Sequence, residues 1–289
     1  MIPASFDYLA PTSLDMVVEA LVSLGEDARI IAGGHSLIPM MKLRLARPSV
    51  LIDLSKIPEL GGMREESDRI AIGALTTHYQ VESSELLGEK CPLLSQTASV
   101  IGDTQVRNRG TIGGSLAHAD PAADLPAAFL ALGGELQVTG SEGERKIKAE
   151  DFFLDIMTTA LKPTEIITAI TFPTSPDGMG TSYQKMAQKA SGFAIAGVAA
   201  CISLTKEGVC SEAGVGVTGL GSKPFRARRV EEILRGKRLS PSLIEKASSQ
   251  VTEGVDPLDD HHASAEFRTH LARLYTARAI GEAVERTGA

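Results

Sequence analysis

The chain has 289 residues, room for two domains or one large one, and 43% of them are hydrophobic, which excludes global disorder. A formal net charge of −7, the absence of tryptophan and an aromatic content of 4% exclude a general nucleic-acid binder with base-stacking platforms. No apolar run reaches the ~20 residues that span a bilayer. The opening stretch MIPASFDYLAPTSLD has no basic region ahead of an apolar core, so it is not read as a secretory signal. Cys91, Cys201 and Cys210 are too few and too scattered for a disulfide framework or an iron–sulfur cluster, which points to a reducing cytoplasm.

In chain order, TSLDMVVEALVSLG predicts a helix with Leu14, Val17, Leu21 and Leu24 on one face, a Thr12/Asp15 capping box and a stop at Gly25. ARIIAGG predicts a short strand ending in glycine, and SVLIDLSKI predicts another. RIAIGALTTHYQVESS reads as strand, turn and helix, and CPLLSQTASVIG as an apolar helix. TIGGSLAHADPAADLPAAFLALGGELQV reads as turn, loop, helix and strand. EIITAITFP is a strand ended by Pro173, and TSPDGMGTS is the best linker in the chain. Beyond it, FAIAGVAACISLT and GVCSEAGVGVTGL predict a hairpin turning at Gly208. ARRVEEILRG and SPSLIEKASSQVTEGV predict helices. A long final helix, AEFRTHLARLYTARAIGEAVER, is expected to place Phe267, Leu271, Leu274 and Ala277 on its buried stripe. Strands followed by helices suggest a separate α+β domain from about Gly180.

Two segments echo one another. AGGHS (Ala32–Ser36) and IGGSL (Ile112–Leu116) each put a Gly-Gly pair between an apolar residue and a serine. Such loops can expose main-chain N–H groups to an anion, with Ser36 and Ser115 adding hydroxyls. Two unrelated tight turns would look the same, so from spacing alone both readings stay open. Gly214–Gly219, GVGVTG, matches G-x-G-x-x-G literally. It is read as a glycine-containing strand, because LGSKP rather than a helix follows and no acidic residue stands near position 239. His118, Asp120 and Asp124 form H-x-D-x-x-x-D. One nitrogen ligand is a poor basis for a metal site, so capping or ligand contacts are the preferred reading. His261 and His262 are expected to be solvated.

ARIIAGGHSLIPMMKLRLARPSVLIDL together with DTQVRNRGTIGGSLAHADPAADLPA resembles the medium, FAD-binding subunit of molybdenum hydroxylases. That group includes aerobic carbon monoxide dehydrogenase and xanthine dehydrogenase, and the resemblance runs over essentially the whole chain. It implies an α+β fold. A vanillyl-alcohol-oxidase-type FAD-binding domain would span residues 1–177, in two α/β subdomains of about 1–57 and 58–177. A C-terminal α+β domain of the carbon monoxide dehydrogenase flavoprotein type would span 178–289.

Carried over position by position, the resemblance puts Ile30, Ile31, Ala32, Gly33, Gly34, His35, Ser36 and Leu37 at the FAD diphosphate and its surroundings. Thr111, Ile112, Gly113, Gly114 and Ser115 would form the second phosphate loop. Ile101, Asp124, Leu161 and Lys185 match further FAD contacts, and SYQKMAQKASGFAIAG matches the segment near the isoalloxazine. No catalytic residue, metal ligand or covalent flavin attachment is implied in this chain. Ser115 stands where the family often has Asn, and Ser191-Gly192-Phe193 where the carbon monoxide enzymes tend to have Gly-Asp-Tyr.

The implied function is electron transfer. Electrons would leave a molybdenum cofactor in a large subunit, cross two [2Fe–2S] clusters in a small subunit, and reach an external acceptor through FAD on this chain. The implied assembly is a dimer of heterotrimers, cytoplasmic, either free or peripheral at the inner face of the membrane. Carbon monoxide dehydrogenase is the preferred type. The alternatives are a medium subunit of an aldehyde, purine or N-heterocycle hydroxylase, or a stand-alone FAD reductase such as the cell-wall enolpyruvyl reductase. A non-catalytic scaffold is a third class, and it would purify colourless.

Overall fold

The computed structural model describes residues 2–288. The N-terminal unit is a three-stranded parallel sheet. Strands β1 (Asp7–Leu9), β2 (Ala28–Ile31) and β3 (Val50–Asp53) lie in the order β1-β3-β2. Helix α1 (Leu14–Leu24) turns Val17 and Leu21 onto Ala28, Ile52 and Leu54. Its cap is Ser13 rather than the expected Thr12. Ser13 has the extended backbone of an N-cap and its hydroxyl accepts from Met16 N, while the Thr12 hydroxyl turns to Met16 Sδ. Gly25 ends the helix at φ +54°, as its position predicts. Helix α2 (Leu37–Lys42) lies between β2 and β3.

The second unit is built on a five-stranded antiparallel sheet. Strand β4 (Met63–Glu66) pairs with β5 (Arg69–Gly73), and β6 (Glu135–Gly140) pairs with β7 (Gly143–Lys148). Between β5 and β6 the chain makes six helices: α3 (His78–Glu82), α4 (Glu85–Lys90), α5 (Pro92–Ser99), α6 (Thr104–Arg109), α7 (Ile112–His118) and α8 (Leu125–Ala131). Helix α9 (Ala149–Phe152) and the small hairpin of β8 (Phe153–Asp155) and β9 (Thr158–Thr159) follow. Strand β10 (Ile166–Pro173) then enters the middle of the sheet, between β5 and β6. Phe129 anchors the core, its ring edge-on to Phe152, Phe153 and Phe172 at 6.0–6.3 Å.

The segment 174–179 leads into a four-stranded antiparallel sheet. It consists of β11 (Gly180–Ala187), β12 (Ala194–Leu204), β13 (Cys210–Thr218) and β14 (Phe225–Arg226). Helices α10 (Arg228–Leu234), α11 (Pro241–Ser248) and α12 (Ala265–Glu285) belong to the same unit. Gly208, at φ +74°, turns the β12–β13 hairpin. One face of β12, carrying Val198, Ala200 and Ile202, packs in the C-terminal core. The other, carrying Ala199 and Cys201, joins the core of the second unit. GVGVTG is strand β13, running into the turn glycine Gly219. A Cβ on Gly214 would stand 2.2 Å from Ala131 O and one on Gly216 2.0 Å from Ala127 O, so these glycines let α8 lie directly on the strand.

Helix α12 is long, as expected, but its buried stripe is rotated. Arg268, Leu271, Ala272, Thr276, Ala279, Ile280 and Ala283 are buried, whereas Phe267 is exposed and Leu274 and Ala277 are only partly covered. The face is not purely apolar. Arg268 is buried because its guanidinium satisfies Ile195 O, Gly219 O and Asp260, which an apolar-periodicity reading does not detect.

Candidate functional site

The two Gly-Gly segments are neighbours in space and different in structure. After β2 the chain passes through Gly34 at φ +78° and enters α2. Among the described residues, none of the amides from Gly33 to Leu37 donates to a protein acceptor. Five consecutive N–H groups are therefore left for a ligand, the condition for an anion-binding concavity. A Cβ on Gly33 would stand 2.2 Å from Arg109 O, so the loop lies flat on the end of α6.

The second segment is not the expected turn. Thr111 caps α7, and Gly113 and Gly114 form its first turn. The amides of Ile112, Gly113, Gly114 and Ser115 are occupied, donating to Thr76 O, Ala74 O, Thr111 Oγ1 and Thr111 O at 2.9–3.1 Å. Gly113 is required because a Cβ would meet Ala74 at 2.6 Å. On Gly114 it would come within 3.9 Å of Ala32 Cβ, so the helix start faces the first loop. The expectation of main-chain donors from both loops is thus corrected: the first supplies them, and the second supplies a thin wall and the half-buried Ser115.

Two further side chains have contacts that no local pattern in the sequence reveals. His78 is buried in α3, against Gly110 and close to His35. Burial first, then the charges of His35 and Arg107, push its pKa down to about 4, and its Nδ1 has no partner. It is a neutral packing group beside the loop pair. Tyr183 on β11 donates to Asp124 Oδ1 at 2.5 Å.

Asp124, at the start of α8, makes no helix cap. Its Oδ2 lies 3.0 Å from Lys185 Nζ in an ion pair whose side chains are 4% and 7% exposed. Burial raises the Asp124 pKa, and Lys185 and Tyr183 oppose that rise. Lys185 Nζ also donates to Gly192 O at 2.6 Å. Gly192, at φ +77°, sits in the turn joining β11 to β12, where a Cβ would be 3.0 Å from Gly102 Cα. The sheet also grips the segment before Asp124: Ala194 N donates to Ala122 O, and Thr218 Oγ1 to Pro121 O and Ala123 O.

Of the remaining expected residues, Ile101 adjoins the Gly102 contact and packs half-buried on the central core. Leu161 is half-buried on the same core, its amide bonded to Thr159 Oγ1. Ile30 and Ile31 belong to β2, Ile30 packing on the N-terminal core. Asp120 closes a turn by accepting from Ala122 N, and no cluster of three or more His, Cys, Asp or Glu side chains suited to a metal exists among the described residues. His261 and His262 are exposed, with His262 against Gln188.

Unspent amides behind a left-handed glycine, a facing helix start without side chains, and a buried Asp–Lys pair at the junction with the C-terminal sheet define a protein that cradles a dinucleotide cofactor. Residues 4–175 match the FAD binding domain in molybdopterin dehydrogenase, and residues 181–283 match the CO dehydrogenase flavoprotein C-terminal domain. The chain belongs to the family of FAD-binding medium subunits of molybdenum hydroxylases, which are subunits of oxidoreductase complexes. It is 40% identical to the carbon monoxide dehydrogenase medium chain of Afipia carboxidovorans, over 99% of each chain. It is 38% identical to the 6-hydroxypseudooxynicotine dehydrogenase complex subunit alpha of Paenarthrobacter nicotinovorans, over 99% of this chain and 97% of the other. A solved carbon monoxide dehydrogenase from Hydrogenophaga pseudoflava superposes with a TM-score of 0.96 at 38% identity, covering 99% of each chain. The expected α+β fold is found. No helix is long and apolar enough to cross a membrane among the described residues.

Proposed function

We propose that this chain is the electron-relay subunit of a carbon monoxide dehydrogenase-like complex, holding one non-covalent FAD. The observation that carries the reading is the run of free amides from Gly33 to Leu37 facing Gly114. Ile30–Leu37 hold the diphosphate and its surroundings. Thr111–Ser115 wall its other side, with Ser115 donating from its hydroxyl. Ile101 and Leu161 bound the site, and Asp124 and Lys185 meet the cofactor where the two domains join. We divide the chain into an FAD-binding domain, 1–177, with subdomains of about 1–57 and 58–177, and a C-terminal domain, 178–289.

When bound, FAD would supply the redox chemistry of the relay, one-electron and two-electron transfer alike. The chain's own residues bind and orient it. The fixed amides meet the diphosphate charge without a counter-cation, and the Lys185 ammonium is held by two acceptors instead of ranging through solvent. The partners are a small subunit with two [2Fe–2S] clusters and a large subunit with the molybdenum cofactor, in a cytoplasmic dimer of heterotrimers.

A second reading, a medium subunit of an N-heterocycle hydroxylase, is favoured by one observation. The chain is 38% identical to the 6-hydroxypseudooxynicotine dehydrogenase subunit, which falls between the 40% and 37% it shares with two carbon monoxide dehydrogenase medium chains. Acid precipitation of the purified complex should release one FAD per copy of this chain into the supernatant. A colourless protein, or flavin retained in the pellet, overturns the assignment of non-covalent FAD.

A further inference from the structure

Asp124 and Lys185 are joined to a third residue, to which the resemblance assigns no role of its own. The Tyr183 ring is buried, and its hydroxyl reaches Asp124 Oδ1 at 2.5 Å. Gly197 makes the space: a Cβ there would stand 2.4 Å from the Tyr183 hydroxyl. Lys185 follows on the same face of β11, so one strand sends both a phenol and an ammonium to one carboxylate. An ammonium has three N–H donors, and Lys185 spends one on Asp124 and one on Gly192 O, leaving one. The chain of contacts runs from Tyr183 through Asp124 and Lys185 to the Gly192 turn, which abuts Gly102.

We propose that Tyr183 is a positioning residue for the flavin: its hydroxyl keeps Asp124 ionised against Lys185, which fixes the remaining Lys185 N–H and the Gly192 turn for the cofactor. The inference rests on the FAD reading of this site. A carboxylate buried this deeply protonates readily unless its lone pairs are satisfied. Tyr183 and Lys185 are the titratable groups that meet it, and both favour its charged form. Protonated Asp124 no longer attracts Lys185, so cofactor binding is strong above the Asp124 pKa and weakens as pH falls through it. Without the phenol that weakening begins at higher pH.

The test is FAD titration of the deflavinated full-length chain from pH 4.5 to 8, followed by flavin fluorescence, for the wild type, Tyr183→Phe and Asp124→Asn. Tyr183→Phe should move the acid-side loss of binding up by about one pH unit, the worth of a buried hydrogen bond to a charged group. At the wild-type midpoint its affinity should then be about fivefold weaker than the wild type's, since half of wild-type Asp124 but only about a tenth of the variant's is ionised there. Asp124→Asn, which has no carboxyl to titrate, should bind FAD weakly and lack that inflection. An unmoved midpoint in Tyr183→Phe, whatever its melting temperature, overturns the proposal, as does an unchanged inflection in Asp124→Asn. Should Tyr183→Phe fail to fold, Gly197→Ala, which crowds the same hydroxyl, is read by the same shift. A wild-type chain that takes up no FAD at all defeats the flavin reading itself, a result distinct from FAD binding with an unmoved midpoint.

Discussion

Gly33 and Gly34 are adjacent, yet different constraints exclude a side chain at each. At Gly33 the obstacle is the Arg109 carbonyl, 2.2 Å from where a Cβ would be, which cannot yield without moving α6. Gly33→Ala should lower unfolding free energy by about 1–3 kcal/mol, the usual range for overpacking, and weaken FAD binding through the displaced loop. At Gly34 the nearest atom is the flexible Ile38 Cδ1, and the constraint is φ +78°. Gly34→Val therefore acts on the loop's conformation and should abolish FAD retention with a smaller loss of stability. Gly114→Val should also release FAD, since its side chain would strike the capping hydroxyl of Thr111 and project toward Ala32. Thermal melts of the deflavinated chains, set beside FAD titrations, separate the three, and a Gly34→Val chain that stays fully yellow refutes the loop assignment. His78 adds a pH dependence at the same scale. Its folded pKa of about 4 lies below the ordinary histidine value, so the unfolded chain binds a proton first as pH falls. The stability contributed by neutral His78 is complete above about pH 6.5 and is lost between there and about pH 4, on the order of 3 kcal/mol in all. In His78→Gln the slope of stability against pH over that window should flatten, and an unchanged slope refutes the assignment.

Elements show where apolar periodicity suffices and where it fails. Strands β2, β3, β5, β10, β12 and β13 are runs of branched or small apolar residues and are legible as such. Strands β1, β4 and β7 are not: each lies at a sheet edge, and β4 and β7 carry charged side chains along nearly their whole length. Helix α12 was legible as a helix, but not in its rotation, because Arg268 and Thr276 occupy its buried face. Ile280→Ala should therefore cost about 2–5 kcal/mol, whereas Phe267→Ala should stay within about 0.5 kcal/mol, the reverse of what side-chain size suggests. Chemical denaturation of the two variants decides between the observed rotation and the expected one. That the first segment is a turn with exposed amides was readable from its glycines. The second was misread as a turn because nothing local reveals that Ala74 and Thr76 accept its amides. The contacts of Tyr183 and His78 were hidden for the same reason, their partners lying 59 and more than 30 positions away in the chain. At β13, Gly216→Ala should push α8 off the strand, since its methyl would stand 2.0 Å from Ala127 O. As Asp124 directly precedes α8, that displacement should reach the proposed flavin site and lower FAD affinity together with stability.

At the scale of the whole molecule, the domains meet where the cofactor is proposed to sit. The β12 face carrying Ala199 and Cys201 completes the core of the FAD-binding unit, and Lys185 crosses from β11 to Asp124. The C-terminal domain thus forms one wall of the proposed flavin site, and removing it should cost FAD as well as area. All three cysteines are buried, and burial pushes the thiols of Cys91 and Cys201 up to about 12 and that of Cys210 to about 11. Thiols so far from ionising are poor ligands for an iron–sulfur cluster, which binds thiolates. In the proposed relay, electrons therefore arrive from another subunit. The chain purified alone should carry FAD that dithionite bleaches, while the substrate of the complex leaves it yellow. Adding the iron–sulfur and molybdenum subunits should restore bleaching by substrate, through an interface burying more than about 1,000 Å² if the assembly is stable. Stopped-flow absorbance at the flavin band, with and without those subunits, measures this directly. Bleaching by substrate in the isolated chain would replace the relay with a self-sufficient reductase.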